Sequence, residues 1–264
     1  LQRWLWFNQA RMQADDNVSV LNNYLKGYQQ IKAEKKNNAF KNSWIPKGPF
    51  DLVNAPNSIL INNIGRLNCI AFHPDNPDIF WVGAPQGGIW KTENSGESWM
   101  PLGDELPVMR ISDIAVDPLN PDILYICIGD YGYLGFYIYN LGYYPGRVTY
   151  FGLGVYKSTD GGLTWSPTGL TYNQEDGVES LMRRVFINPQ NTSELLAAGV
   201  TGIFKSDDAG TNWSQVSDRF IWDIEMQHDN YQVMYASTYE YNNDITGIMR
   251  TTDFGSTWQW LNTG

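Results

Sequence analysis

The sequence predicts an all-β fold: a β-propeller of four-stranded blades, about four of them present, behind a short α-helical N-terminal segment. Three observations predict it. A pattern of four elements recurs in fixed order, and the tryptophans that close it (Trp99, Trp165, Trp213 and Trp258) are 66, 48 and 45 residues apart, the length of a propeller blade. The 264 residues hold 11 Trp, 16 Tyr and 25 Gly against 17% charged residues, which suits many short strands with aromatic packing and Gly-rich turns. Each repeat also ends in the same eight-residue box.

The first stretch differs from the rest. Trp4, Trp6, Met12, Val18, Leu21, Tyr24, Leu25, Tyr28 and Ile31 are spaced mostly by three, four and seven, and from Val18 onward Lys and Gln fill the opposite face. This predicts one or two helices to about Lys36 and a polar linker through Asn42, so a segment 1–42 separate from a propeller at 43–264. Ser43-Trp44-x-Pro-x-Gly48 repeats the form of Ser98-Trp99-x-Pro-x-Gly103 and Thr164-Trp165-x-Pro-x-Gly169 but has no box before it. It reads as an orphan outer strand at 43–50, the kind with which a propeller closes its last blade. Blades are expected at about 65–107, 108–172, 180–217 and 218–264.

Within a blade, an apolar strand runs into a turn such as His73-Pro74-Asp75-Asn76-Pro77-Asp78 or Asp117-Pro118-Leu119-Asn120-Pro121-Asp122. Pro presets φ there, and Asn hydrogen-bonds its own backbone. A second strand follows (Phe80-Trp81-Val82-Gly83; Leu124-Tyr125-Ile126-Cys127). The third opens on Gly88-Ile89-Trp90-Lys91-Thr92, Gly154-Val155-Tyr156-Lys157-Ser158, Gly202-Ile203-Phe204-Lys205-Ser206 or Gly247-Ile248-Met249-Arg250-Thr251, with the alternation of a half-buried strand.

The box reads S-x-D-x-G-x-T-W in Ser158–Trp165 and, with Thr first, in Thr251–Trp258; Thr92–Trp99 and Ser206–Trp213 are degraded copies. Its carriers are Asn94, Gly96 and Trp99; Asp160, Gly162 and Trp165; Asp208, Gly210 and Trp213; and Asp253, Gly255 and Trp258. A carboxylate in a hairpin loop accepts N–H groups of its own turn, Gly supplies φ > 0, and Trp buries a large area between blades. The expected role is structural.

These boxes resemble the Asp-box repeats of sialidases, xyloglucanase-type glycoside hydrolases, sortilin-type receptors and photosystem II assembly factors. The longer pattern of turn, Gly-Gly-Ile-Trp-Lys and box, with the helices before Ser43, resembles large secreted propellers of bacteria that use the type IX secretion system. The resemblance implies a secreted or surface-held, non-catalytic module: an adhesin, a gliding-associated protein or an outer-membrane-complex component, with a protein partner or a glycan as ligand. Its rival is a glycoside hydrolase whose active site lies partly beyond Gly264, and a sorting or assembly receptor is a third reading. Since such propellers have roughly six or more blades, the protein is expected to continue past Gly264.

Charge is uneven. Residues 1–48 carry a net +5 and residues 49–264 a net −15; an acidic body argues against nucleic acid, which needs clustered Lys and Arg. No run approaches the roughly 20 apolar residues that span a bilayer. Cys69 and Cys127 sit in apolar runs and read as buried thiols, though two positions alone do not decide pairing. Neither His73 nor His228 has a second ligand at a metal spacing, so no metal or cofactor is expected.

Two sets of residues are site candidates. The second blade is about 20 residues longer than the others, and the excess includes Asp130, Tyr131, Tyr133, Phe136, Tyr137, Tyr139, Tyr143 and Tyr144. An aromatic, Gly-interleaved loop makes a protein or sugar contact surface when exposed; the alternative is that it folds over its own propeller. Asp113, Arg184 and Asp223 fall at one place in the first strands of blades two, three and four. There they form either a salt-bridge arc or, through Asp113 and Asp223, the carboxylate pair of a glycosidase. The arginine triad and Tyr–Glu pair of sialidases are not recognisable.

Overall fold

In the computed structural model, residues 66–131, 151–173, 176, 179–238 and 247–261 are described, all within one compact unit, Arg66–Gly264. The segment 1–42 and the strand expected at 43–50 lie outside them. Sixteen strands form four antiparallel sheets, each a simple meander: β1–β4 (Cys69–Phe72, Phe80–Ala84, Gly88–Thr92, Met100–Leu102), β5–β8 (Ile111–Val116, Leu124–Ile128, Gly154–Ser158, Ser166–Thr171), β9–β12 (Met182–Asn188, Asn191–Gly199, Gly202–Ser206, Ser214–Ser217) and β13–β16 (Ile221–Met226, Met234–Thr238, Gly247–Thr251, Gln259–Trp260). The first strands β1, β5, β9 and β13 adjoin one another in chain order. This is part of a β-propeller.

Period-2 alternation sends successive residues of one strand into different layers. In β6, Leu124, Ile126 and Ile128 join Trp81, Ile89 and Ile111 between the first two blades, while Tyr125 and Cys127 join Met182, Val185 and Leu195 between the second and third. In β10, Leu195 and Ala197 face back, and Leu196 and Ala198 face forward onto Ile221, Ile224, Met234 and Phe254. The core is thus a series of layers between blades. A strand buried on both faces reads as the continuous apolar run Leu-Tyr-Ile-Cys-Ile.

The boxes lock the turns between third and fourth strands. In blade two, Ser158 donates to Asp160, Gly162 N–H donates to Ser158 Oγ at 2.9 Å, and Thr164 donates through N–H and hydroxyl to the two Asp160 oxygens at 2.9 and 2.6 Å. Asp208 and Asp253 repeat this with Asn212 and Thr257; in blade one Asn94 Oδ1 accepts the Ser98 N–H while its Nδ2 donates to Ser98 Oγ. Two consecutive residues of each box have positive φ, and the first is not glycine in three of them: Ser95 (56°), Ala209 (56°) and Phe254 (48°). That residue also donates its N–H to a carbonyl at the start of its own blade's second strand or in the turn before it: Ser95 to Asp78, Gly161 to Asp122, Ala209 to Ser193 within β10, and Phe254 to Gln232. The box turn is therefore fastened to the entry of the second strand in every blade.

Candidate functional site

The inner strands share a register-equivalent position. Asp113 pairs with Cys127, Arg184 with Ala198 and Asp223 with Ser237, each next to a register shift that leaves Ser112, Arg183 or Trp222 as an extra residue. Such a bulge twists the strand and re-aims a side chain. Cys69, paired with Gly83, is the first blade's counterpart.

Arg184 is the centre of the arc. Its guanidinium lies 3.8 Å from Asp113 Oδ1 and 3.8 Å from Asp223 Oδ1, and Nη2 donates to Glu225. Arg183 Nε stands 3.2 Å from Asp223 Oδ1. The two aspartates differ sharply. Asp113 is buried, and its Oδ2 accepts the Val185 N–H at 2.9 Å; burial pushes its carboxyl up to about 6, against Arg184 and the Val185 amide. The Asp223 side chain is 40% exposed. Burial works against the charge of Arg184, but Asp113, Glu225 and Asp223 raise its proton affinity overall.

Of the eight loop candidates, Asp130 and Tyr131 are described, and neither offers an exposed contact. Asp130 is buried; Arg66 donates to both its oxygens, and Asn68 Nδ2 lies 3.3 Å away. Tyr131, 4% exposed, crosses the top of the arc. Its N–H reaches Ser112 Oγ at 3.1 Å, its hydroxyl donates to the Ile221 carbonyl, and the Arg183 guanidinium stacks 5.6 Å above its ring. Burial raises the Tyr131 hydroxyl, so it stays a donor. The reason both are buried is that the loop starts by folding inward over β5, β9 and β13. Tyr133, Phe136, Tyr137, Tyr139, Tyr143 and Tyr144 lie outside the described residues.

A cleft of about 440 Å³ lies at the box edge between blades two and three, lined by Lys157, Thr164, Ser166, Thr168 and Thr211 among others. Lys157 is the one titratable group of that lining. Cys69 and Cys127 are free, and burial raises both thiols. His73 Nδ1 accepts the Asp75 and Asn76 N–H groups, capping its turn as Asp117 Oδ1 caps the next blade's. Among the described residues there is no cluster of His, Cys, Asp and Glu suited to a metal.

No protein-family model matches the chain. Among curated proteins it is similar to a xyloglucanase of Acetivibrio thermocellus (27% identical over 195 residues, 70% of this chain and 20% of that protein) and a xyloglucanase of a Paenibacillus species (27% over 158 residues, 56% and 14%). An oligoxyloglucan-reducing end-specific xyloglucanase of Emericella nidulans is 23% identical over 171 residues, 61% of this chain and 19% of that protein. The chain thus spans about a fifth or less of these relatives. Among solved structures, an ancestral GH74 enzyme aligns with 76% of this chain and 26% of its own (TM-score 0.57, 21% identity), and the GH74 enzyme of Niastella koreensis with 72% and 28% (TM-score 0.51, 19% identity). These likenesses show the propeller fold. The curated relatives are glycoside hydrolases, and they overturn the expectation of a non-catalytic adhesin, gliding or scaffold module that is not an enzyme.

Proposed function

We propose that this chain is part of the propeller of a glycoside hydrolase acting on a β-glucan of the xyloglucan class. The observation that carries the reading is that the curated relatives matched over 56–71% of the chain are xyloglucanases. The arc supports it: two carboxyls in unlike environments flank one guanidinium, Asp113 holding its proton up to about 6 and Asp223 open to solvent. Asp223 is the member able to meet a substrate, and Asp113 bears on it through Arg184. Resemblance of the repeats to Asp-box propellers, and to secreted propellers of type IX secretion bacteria, supports export to the cell surface or medium, where such glycans are met.

The test is incubation of the full-length protein with tamarind xyloglucan and chromatography of the products. Release of oligosaccharides is expected, with kcat lowered on the order of 100-fold in Asp223→Asn. No release from xyloglucan or from an unsubstituted β-glucan overturns the reading.

A further inference from the structure

We infer that the cleft at the box edge between blades two and three binds a hexuronate residue, with its carboxylate on Lys157 and its hydroxyls among the surrounding threonines and serine. The cleft is walled by the ends of β7 and β8 and by the box turn of blade three, whereas the arc lies on the inner strands. The inference is therefore independent of the hydrolase reading.

Comparison of the seams carries it. A cation precedes each box, and in the first three blades it is Lys91, Lys157 and Lys205. Lys91 pairs with Glu93 at 2.8 Å and Lys205 with Asp207 at 3.5 Å, in each case the second residue of the same box. Blade two has Thr159 at that place, so among the described residues Lys157 is the box lysine without a carboxylate. Lys205 also donates to Ser256 Oγ in the next blade's box at 2.7 Å. Thr211 occupies the equivalent place for Lys157, yet the two stand apart on the walls of the cleft. The Lys157 ammonium instead lies 5.3 Å over the Tyr125 ring, with one long bond of 3.4 Å to the Ala209 carbonyl. The space of about 440 Å³ is ample for one pyranose ring and its substituents. Its walls are tied by backbone, since Gly169 N–H donates to the Gly210 carbonyl at 2.8 Å, and a preformed cleft loses little freedom on binding.

The walls choose the ligand. Thr159 and Ser166 are exposed, and their hydroxyls have no partner among the described residues, so both can donate. The Thr164 and Thr211 hydroxyl protons are engaged by Asp160 Oδ2 at 2.6 Å and the Asp208 carbonyl at 3.0 Å, which leaves those oxygens as acceptors. Interleaved donors and acceptors match a ring of hydroxyls, and a single ammonium matches a single carboxylate. The Asp160 carboxylate behind Thr164 opposes a dianion, and residues 49–264 carry a net −15, so phosphate is disfavoured.

The experiment is calorimetric titration of the full-length protein with trigalacturonate, its methyl ester and inorganic sulfate, which separate the charge from the sugar. Trigalacturonate is expected to bind, and the ester and sulfate to bind at least roughly tenfold more weakly. Thr159→Glu gives Lys157 the partner that Lys91 has in Glu93, and should weaken trigalacturonate binding roughly tenfold, as should Lys157→Met. Lys91→Met should leave binding unchanged. Thr159 is exposed, so its variant decides the matter if Lys157→Met fails to fold. Equal affinity for the ester, equal affinity for sulfate (an adventitious ion only), parent-like binding in Thr159→Glu, an equal loss in Lys91→Met, or no binding overturns the site. Lys157-dependent binding with no release of oligosaccharides from xyloglucan leaves the site standing and removes the hydrolase reading. Release without trigalacturonate binding does the reverse.

Discussion

The Asp113 carboxylate accepts the Val185 backbone N–H at 2.9 Å, tying the inner strand of the second blade to that of the third. The tie is made by a group that burial would prefer uncharged, and this sets how the seam responds to pH.

Burial raises the Asp113 carboxyl from 3.8 to about 6. Between those values the folded chain keeps a proton that the unfolded chain has released, so stability falls as pH rises through this window and the cost is constant above it. The cost is on the order of 3 kcal/mol. Asp113→Asn keeps an acceptor for Val185 and removes the charge. Its urea midpoint should exceed the parent's at pH 8, and the two should converge below about pH 4. A less stable variant at pH 8 would mean that Arg184 needs the charge more than burial opposes it.

The box carboxylates behave in the opposite sense. Hydrogen bonds from the Thr164 hydroxyl and N–H, then from Ser158, hold Asp160 at about 2, and Asp208 and Asp253 are also lowered. Their contribution is present above the ordinary carboxylate range and is lost as pH falls through the depressed values. Replacing all three by Asn, the residue blade one already carries as Asn94, should flatten the loss of thermal stability between about pH 4 and pH 2. An unchanged acid limb would assign that loss to other groups.

Ala209 and Phe254 occupy the same left-handed box position, at φ 56° and 48°. Ala209→Gly relieves the Cβ clash at some cost in unfolded-chain entropy, for a net gain of about 0.5–1 kcal/mol. Phe254→Gly relieves the same clash but empties a fully buried site against Leu196, and should lose about 3–5 kcal/mol. Chemical denaturation of the pair reads both; equal signs would refute the assignment.

Gly83 is set by space. A Cβ there would lie 2.6 Å from both Cys69 Sγ and Ile111 Cγ2, so Gly83→Ala should destabilise by about 1–3 kcal/mol. Adding Cys69→Ala should recover part of it, because one of the two clashing atoms is gone. A double-mutant cycle with no coupling would contradict this packing.

Repetition made most of the fold legible. The boxes and Pro-Asn turns mark the blade edges, and aligning the repeats brings Asp113, Arg184 and Asp223 to one position. Cys69, the fourth member, was hidden because its chemistry differs, and its equivalence appears only in the pairing with Gly83. The bulges were invisible too, since an extra residue in a strand leaves the period-2 pattern ambiguous, and with them the separate part of Arg183. For Asp130 and Tyr131 the sequence leaves open whether they face solvent or fold over the propeller, because their partners, Arg66 and Ile221, lie 64 and 90 residues away. The activity was read wrongly for another reason: a repeat that fixes the fold carries no statement about chemistry.

The two edges of each sheet are not equivalent. On one, every box turn is fastened to the entry of its blade's second strand by the same N–H bond. The link between β6 and β7, where the second blade's extra length falls, leaves and rejoins the sheet at the other. A loop there can be lengthened, exchanged or grafted while the fasteners that hold each blade together stay untouched.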